Sequence, residues 1–433
     1  MNRLLAFLAC VSITCLLAAT VSDCMAQQTE PDWVDQIRPD HPRLFFNADT
    51  WPKVRERALT IRLDYYEAMK VHADGTEPPK HWAEGRNVDP VPLPPTRPGS
   101  AYRPADWGSH AMSAAFVYRV EPSAERLKQV RDMLWASVDF YHACYAVGME
   151  ATYYSISRLG WLAALDWVWN DLDPAERTEL GLSILRHVDE VLNKPGVIRR
   201  STGTRTSGYY GARNMSLFTG LVLYKEGVDD EAALEYLLEG WGNYERVMAF
   251  RAQQAGDDGG AASATLGYSF AHYPLAEWNL VYAVRSAAGV DLADETDYLA
   301  MMPNYVMWNY IPPGLEFGYG DNAHTTNRFQ TSWIHAHMPN IRNLYARTRP
   351  QWAQLAASVD EMISGNADFL ARGGYIPYPL LQTELEEAPE ALALEEFNLP
   401  MARHFEAMGQ VFMRSGTGID DTYALFACGG QSS

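Results

Sequence analysis

The chain has 433 residues, 47 per cent of them hydrophobic and 12 per cent aromatic, with 13 Trp and 24 Tyr. That is ample for a large buried core, and the flat aromatic side chains suit helix packing and stacking on sugar rings equally. Asp and Glu number 54 against 35 Lys and Arg, a net charge of −19, which argues against a nucleic-acid partner and obliges any anionic ligand to find a local basic patch.

In chain order, residues 1–26 read as a secretory signal peptide: Arg3 is the charged region, Leu4 to Val21 the apolar one, and Cys24-Met25-Ala26 a small-x-small cleavage site. The expected location is therefore a bacterial periplasm or the medium. No later segment is apolar for long enough to span a membrane. Only Cys144 and Cys428 lie beyond the signal, so neither a disulfide framework nor a metal-ligand spacing is expected.

Next come a short extended piece, His41 to Phe46, and a helix that Asn47 or Asp49 can cap, with Pro52 in its first turn. The proline-rich stretch 76–107 reads as a surface loop. From about 108 to 300 one amphipathic helical pattern follows another. In DPAERTELGLSILRHVDEVLN, Asp173 is placed to cap, Pro174 to start the helix and Glu176 to complete a capping box. Strand-like alternation is concentrated at the end, where HFEAMGQVFMRSGTGIDDTYALFACGG reads as two β-runs about the turn Ser415–Asp421. The expected layout is a mainly α domain over 27–400 and the beginning of a β domain over 401–433, with the chain as the front part of a longer protein.

Three constellations carry candidate chemistry. From Lys194 to Lys225 no Asp or Glu occurs, although Arg199, Arg200, Arg205 and Arg213 sit there with Tyr209 and Tyr210 among Gly and Ser. Arginine forks and aromatic faces suit carboxylates or sulfates on sugar rings, and a solvated loop paired with distant acids is the plain alternative. The second is DDGGAASATLGYSFAHY, 257–273, with Tyr268, His272 and Tyr273. Removing the proton alpha to a uronic-acid carboxylate needs a donor to that carboxylate, a base and an acid. Asn214 can be the donor, and a tyrosine can be the acid, or the base beside a cation. The third, PPGLEFGYGDNAHTTNRF, presents Glu316, Tyr319, Asp321, Asn322 and His324 on a loop that could wall a cleft.

Taken together, HPRLFFNADTWPKVRERA, ALDWVWNDLDPAERTEL, DDGGAASATLGY and GLEFGYGDN resemble the heparinase II/III-like superfamily of polysaccharide lyases and related uronyl epimerases, over most of residues 40–330. The resemblance implies an incomplete α/α toroid followed by a β-sandwich whose first strands begin near Met408, with the cleft between them. It also implies β-elimination on an acidic polysaccharide by an Asn-His pair on one helix and a Tyr on a later one. Asn214 and Tyr268 fall at the Asn and Tyr positions. Met215 stands where many members have His, Ala264-Thr265 where a Glu-Gly is usual, and a further His normally comes from the sandwich. His272 or His324 would have to supply the missing imidazole.

The site expected on this basis has Tyr268, Asn214 and His272 as catalytic groups. Arg205, Arg213, Tyr209, Tyr210, Tyr273, Tyr319, Asp321 and His324 would bind an acidic polysaccharide, with no cofactor and no metal, a structural metal in a further part of the sandwich apart. The alternatives are a uronyl C5-epimerase, a glycoside hydrolase using a carboxylate pair from Asp257, Asp258, Glu316 and Asp321, and a glycan-binding protein without catalysis.

Overall fold

The computed structural model of the chain describes residues 30–75, 107–146, 156–193, 215–261, 273–317, 331–363 and 377–428, apart from 384, 386 and 387. Their architecture follows from two kinds of helix. Met215–Leu223 has no charged side chain and forms a helix buried on every side. Asp230–Ala255, by contrast, alternates charged and apolar groups and buries one stripe.

The helices are α1 (Trp51–Leu59), α2 (Leu63–Asp74), α3 (Trp107–Val120), α4 (Ala124–Ala146), α5 (Ile156–Val168), α6 (Pro174–Asn193), α7 (Met215–Leu223), α8 (Asp230–Ala255) and α9 (Tyr273–Ala288). After them come α10 (Met302–Asn309), α11 (Thr331–Tyr345), α12 (Pro350–Met362) and the single turn α13 (Tyr378–Leu381). The protein is mainly helical, as expected.

Alternate helices form two rows. α3 packs on α5, α5 on α7 and α7 on α9, while α4 packs on α6 and α6 on α8. The first row supplies much of the core, including Phe116, Trp161, Trp167, Phe218 and Trp278. Where α7 meets α8 the backbones nearly touch: a methyl group on Gly220 would overlap Leu237, and one on Gly240 would overlap the backbone of Leu217. Neither site leaves room for a side chain.

The segment before α1 is irregular but deeply buried, and a charge network locks it in place. The fully buried Asp166 carboxylate of α5 accepts from the backbone amides of Arg43 (2.9 and 3.0 Å) and Leu44 (2.7 Å). It also pairs with His41 Nδ1 at 2.6 Å. Arg43 reaches past Asp166 to the end of α7, where Nη1 donates to the carbonyls of Val222 (3.0 Å) and Tyr224 (2.9 Å). Its Nη2 pairs with Glu226, whose Oε1 lies 3.1 Å from His41 Nε2. One arginine thus caps a buried helix end whose carbonyls have no helical partner.

Local expectations hold unevenly. Pro52 stands in the first turn of α1, but Thr50 occupies the cap position, and Asn47 Oδ1 instead accepts from the amides of Asp49 and Thr50 in the turn before it (both 3.0 Å). Pro174 opens α6 as expected. Glu176 is turned away from a capping box: its carboxylate takes Arg131 Nε and Trp135 Nε1 of α4, each at 3.0 Å. A tertiary ion pair there outbids a local cap.

Two small antiparallel sheets complete the fold. β1 (Tyr310–Ile311) and β2 (Leu315–Glu316) form a ribbon about Pro312–Gly314. At the end of the chain three strands, not two, lie in the order β3 (Ala402–Phe405), β4 (Gln410–Arg414), β5 (Tyr423–Ala427). The sequence reading missed β3 because its four residues ARHF are too short to show alternation. The sheet packs on the helical body: Phe405 and Phe412 are buried, with their rings 5.0 and 6.1 Å from Tyr305 of α10 and Phe412 5.6 Å from Phe317. Burying each such ring is worth about 2 kcal/mol.

Replacing Asp166→Asn strips His41 and Arg43 of their shared anion inside the core. The expected loss is about 3–5 kcal/mol, read as a lower urea midpoint, and a loss below about 1 kcal/mol would show that the network does not hold the segment. Burial opposes charge on His41, but the hydrogen bonds to Asp166 and Glu226 outweigh it and the pKa stands above the ordinary value. A raised folded-state value means that the stabilisation is complete below the ordinary imidazole pKa of about 6.5 and fades as pH rises through the raised one. The difference in melting temperature between wild type and His41→Gln should therefore be largest below about pH 6.5 and shrink as the pH is raised above it.

Candidate functional site

The stretch DDGG closes α8. Its turn wraps the helix end so that the carbonyl of Ala255 accepts from the amides of Gly259 (2.9 Å), Gly260 (3.2 Å) and Asp258 (3.3 Å). Gly259 has φ +88°, and a methyl group on it would overlap the carbonyl of Met301. The position therefore needs glycine twice, for backbone conformation and for space. Asn304 Nδ2 donates to the carbonyl of Asp258 at 2.8 Å, which fastens the start of α10 to the same turn.

Asp257 is exposed. Asp258 is buried, 3.8 Å from Arg403 Nη2 of β3. Burial raises the Asp258 pKa, the Gly260 amide and Arg403 act against that, and Asp257 and Glu406 add to the rise. Glu316, the third carboxylate considered for hydrolysis, is buried in β2. These positions make the turn a structural corner, in which Asp258 joins helix end and sheet.

Beside the turn lies a small pocket, partly open to solvent. Arg251 and Ala255 of α8, Gly259 to Ala261, Pro274 and Glu277 of α9, and Tyr298, Leu299 and Met302 line it. Its polar groups form one buried cluster. Glu277 Oε1 accepts from Arg251 Nη1 and from the Tyr298 hydroxyl (2.8 Å). Its Oε2 is buried and has no hydrogen-bond partner among the described residues. Burial, then the neighbouring Glu277, pushes the Tyr298 phenol well above its ordinary pKa, so it is a neutral donor at any physiological pH.

The arrangement offers an apolar-walled recess with a charge-balanced floor and one buried carboxylate oxygen able to accept from a hydroxyl. The sequence reading did not single out Arg251, Glu277 or Tyr298. Glu277 had a signal, as the one acid in the apolar run YPLAEWNLVYAV, whereas Arg251 and Tyr298 look like ordinary residues of polar and aromatic stretches.

The expected site residues stand as follows. Tyr268, His272, Asn214, Arg205, Arg213, Tyr209, Tyr210, Tyr319, Asp321 and His324 lie outside the described residues, as do Arg199, Arg200 and Asn322. Tyr273 opens α9, and its side chain is outside them. Met215 begins α7 and is buried. One residue in from that end, Ser216 Oγ donates to Glu239 Oε2 (2.7 Å), and Asn243 Nδ2 donates to Glu239 Oε1 (2.8 Å).

The chain passes into residues 262–272 from Ala261 and out of them into α9 at Tyr273. Ala261 and Pro274, on either side, both line the pocket. No group of three or more His, Cys, Asp or Glu among the described residues could hold a metal, and no described helix is long and apolar enough to cross a membrane. No family model matches the chain, and neither does any curated protein.

Changing Gly259→Ala should cost about 2–4 kcal/mol, from backbone strain and overlap with Met301 together. The same change at the exposed Asp257 should stay within about 0.5 kcal/mol. Equal melting temperatures for the two variants would show that the turn is not the tight corner described.

Proposed function

We propose that the protein is a secreted polysaccharide lyase that cleaves a uronic-acid-containing polysaccharide by β-elimination. The two rows of alternate helices, one buried and one amphipathic, support reading the helical part as an incomplete α/α toroid, with β3–β5 as the opening strands of a β-sandwich. The observation that carries the reading is the pocket beside DDGG, because the chain that bears Tyr268 and His272 leaves and rejoins the described structure at its rim.

In this reading Asn214 donates to the substrate carboxylate and so stabilises the charge that develops when the adjacent carbon loses its proton. Tyr268 gives a proton to the leaving glycosidic oxygen and, when Arg213 or another cation is near, first takes the carbon-bound one. The C–H and C–O bonds break, a carbon–carbon double bond forms, and no water is consumed. Arg205 and Arg213, with Tyr209, Tyr210 and Tyr273, bind neighbouring acidic sugars, and Tyr319, Asp321 and His324 line the far wall.

Asn214 directly precedes α7. Asn243, packed near that end of α7 through Glu239, is eight residues from Arg251, roughly 12 Å along α8. A cleft along this helix would join the Asn214 end to the pocket. The buried Glu277 oxygen and the Tyr298 hydroxyl are suited to sugar hydroxyls rather than to carboxylates, since the pocket's single cation is already paired.

Digesting alginate, ulvan or a glycosaminoglycan should give unsaturated ends with a new ultraviolet absorbance, and Tyr268→Phe should lower that rate by about a thousandfold. New reducing ends without the absorbance would overturn elimination in favour of hydrolysis. Solvent deuterium entering C5 without depolymerisation would overturn it in favour of epimerisation.

A further inference from the structure

Arg414 is the last residue of β4, and its guanidinium has no carboxylate partner among the described residues. Along β4 the side chains of Gln410, Phe412 and Arg414 share one face. The first two are buried against α10, where Tyr305 donates its hydroxyl to Gln410 Oε1 at 2.6 Å and Trp308 packs on Phe412 at 6.5 Å. Arg414 therefore stands at the open end of the seam between sheet and helices. Its guanidinium carbon lies 4.2 Å from the centre of the Trp308 ring. Among the described residues its Nη2 reaches only the carbonyl of Pro400, at 3.4 Å, and its Nε is buried without a partner.

A phenol flanks this cation. Tyr423 is directly opposite Arg414 in the β4–β5 register, so the two side chains stand on the same face. Burial and Asp421 raise the Tyr423 phenol's pKa, and Arg414 opposes them. Asp421 does not neutralise the arginine. Its oxygens are engaged by Ser415 Oγ (2.9 Å) and the Gly418 amide (2.8 Å).

A half-buried arginine normally ends on a carboxylate, because an unmet donor in a low-dielectric site is costly. Stacking on an indole fixes the plane of the guanidinium and leaves its edge to a planar or tetrahedral anion, while nearby aromatic faces suit a sugar ring. We propose that Arg414, seated on Trp308 and flanked by Tyr423, is a subsite for an anionic group of an acidic glycan, a ring carboxylate or a sulfate. The assignment rests on the lyase reading for its choice of ligand, and its geometry is independent of Tyr268 and Asn214.

The test measures binding by calorimetry in a Tyr268→Phe background, so that nothing is turned over. The probes are a galacturonate tetramer, a heparin-derived tetramer and a neutral galactan tetramer. Arg414→Gln should weaken at least one acidic tetramer about tenfold and make its binding less sensitive to salt. The neutral probe should be unaffected, and Arg414→Lys should fall between, since it keeps the charge and loses the fork. Whichever acidic probe responds more distinguishes carboxylate from sulfate.

A folded Arg414→Gln protein that binds both acidic tetramers like its parent would overturn the subsite. So would equal losses for acidic and neutral probes, or no binding of either acidic tetramer by the parent. If Arg414→Gln does not fold, Arg414→Lys and Tyr423→Ala are read instead, each expected to weaken acidic binding severalfold. Ultraviolet assays on the otherwise wild-type chain separate the two readings. Arg414-dependent binding without elimination leaves the subsite and removes the lyase, and elimination with Arg414-independent binding does the reverse.

Discussion

The placement of one buried carboxylate, Asp166, is what the helical rows depend on. It sits in the last turn of α5 and, once taken out of water, must have its oxygens satisfied from within the protein. Everything that satisfies it comes from the irregular segment at 41–44: two backbone amides and the His41 ring. That segment is thereby drawn over α5, and Arg43 is carried to the carbonyls at the end of α7. The same few residues thus fasten two neighbouring helices of the buried row. Because α7 is only nine residues long, fixing its last turn also fixes its first, where Met215 follows Asn214.

From α7 the constraint passes to the pocket by contact rather than by charge. Gly220 and Gly240 allow α7 and α8 to touch, and α8 runs on from these contacts to the DDGG corner. There Ala255 gathers three amides and Gly259 accepts Met301 against its bare Cα. The Arg251–Glu277 pair then ties the end of α8 to the start of α9. Breaking such a pair leaves a stranded charge, so it fixes geometry more than it adds stability. For a pocket wall, fixed geometry is what matters.

What could be read from the sequence was whatever is encoded locally. The helical succession from 108 to 300, the proline at the start of α1 and of α6, and the turn between β4 and β5 all follow from residue spacing. The charge network does not, because Arg43 meets Asp166 and Glu226 at separations of 123 and 183 residues. No local pattern announces such pairings. Glu176 shows the converse: its capping-box spacing was correct, but Arg131 and Trp135 of a neighbouring helix claimed its oxygens. The candidate catalytic groups Tyr268 and Asn214 were named from chemistry and resemblance alone. The cluster at the pocket, apart from the lone acid Glu277, became visible only when three distant stretches converged.

The helix α10 couples the pocket to the sheet and sets the scale of any ligand that uses both. Asn304 and Met301 hold its beginning to the DDGG turn, and Met302 lines the pocket. Tyr305 and Trp308 take up the sheet through Phe405, Phe412 and Arg414. Met302 and Trp308 are six residues apart, roughly 9 Å along the axis, so pocket and guanidinium are too far apart for one sugar to fill both. In a chain of net charge −19, an anionic ligand is repelled at long range and needs a local cation to hold it, and Arg414 has no acidic partner among the described residues. The extended acidic oligosaccharide proposed as substrate would meet both conditions, with one anionic group on Arg414 and hydroxyls at Glu277 and Tyr298. The fastening of the sheet to the turn, by Asp258 and Arg403, then governs how well the two ends of the ligand fit together.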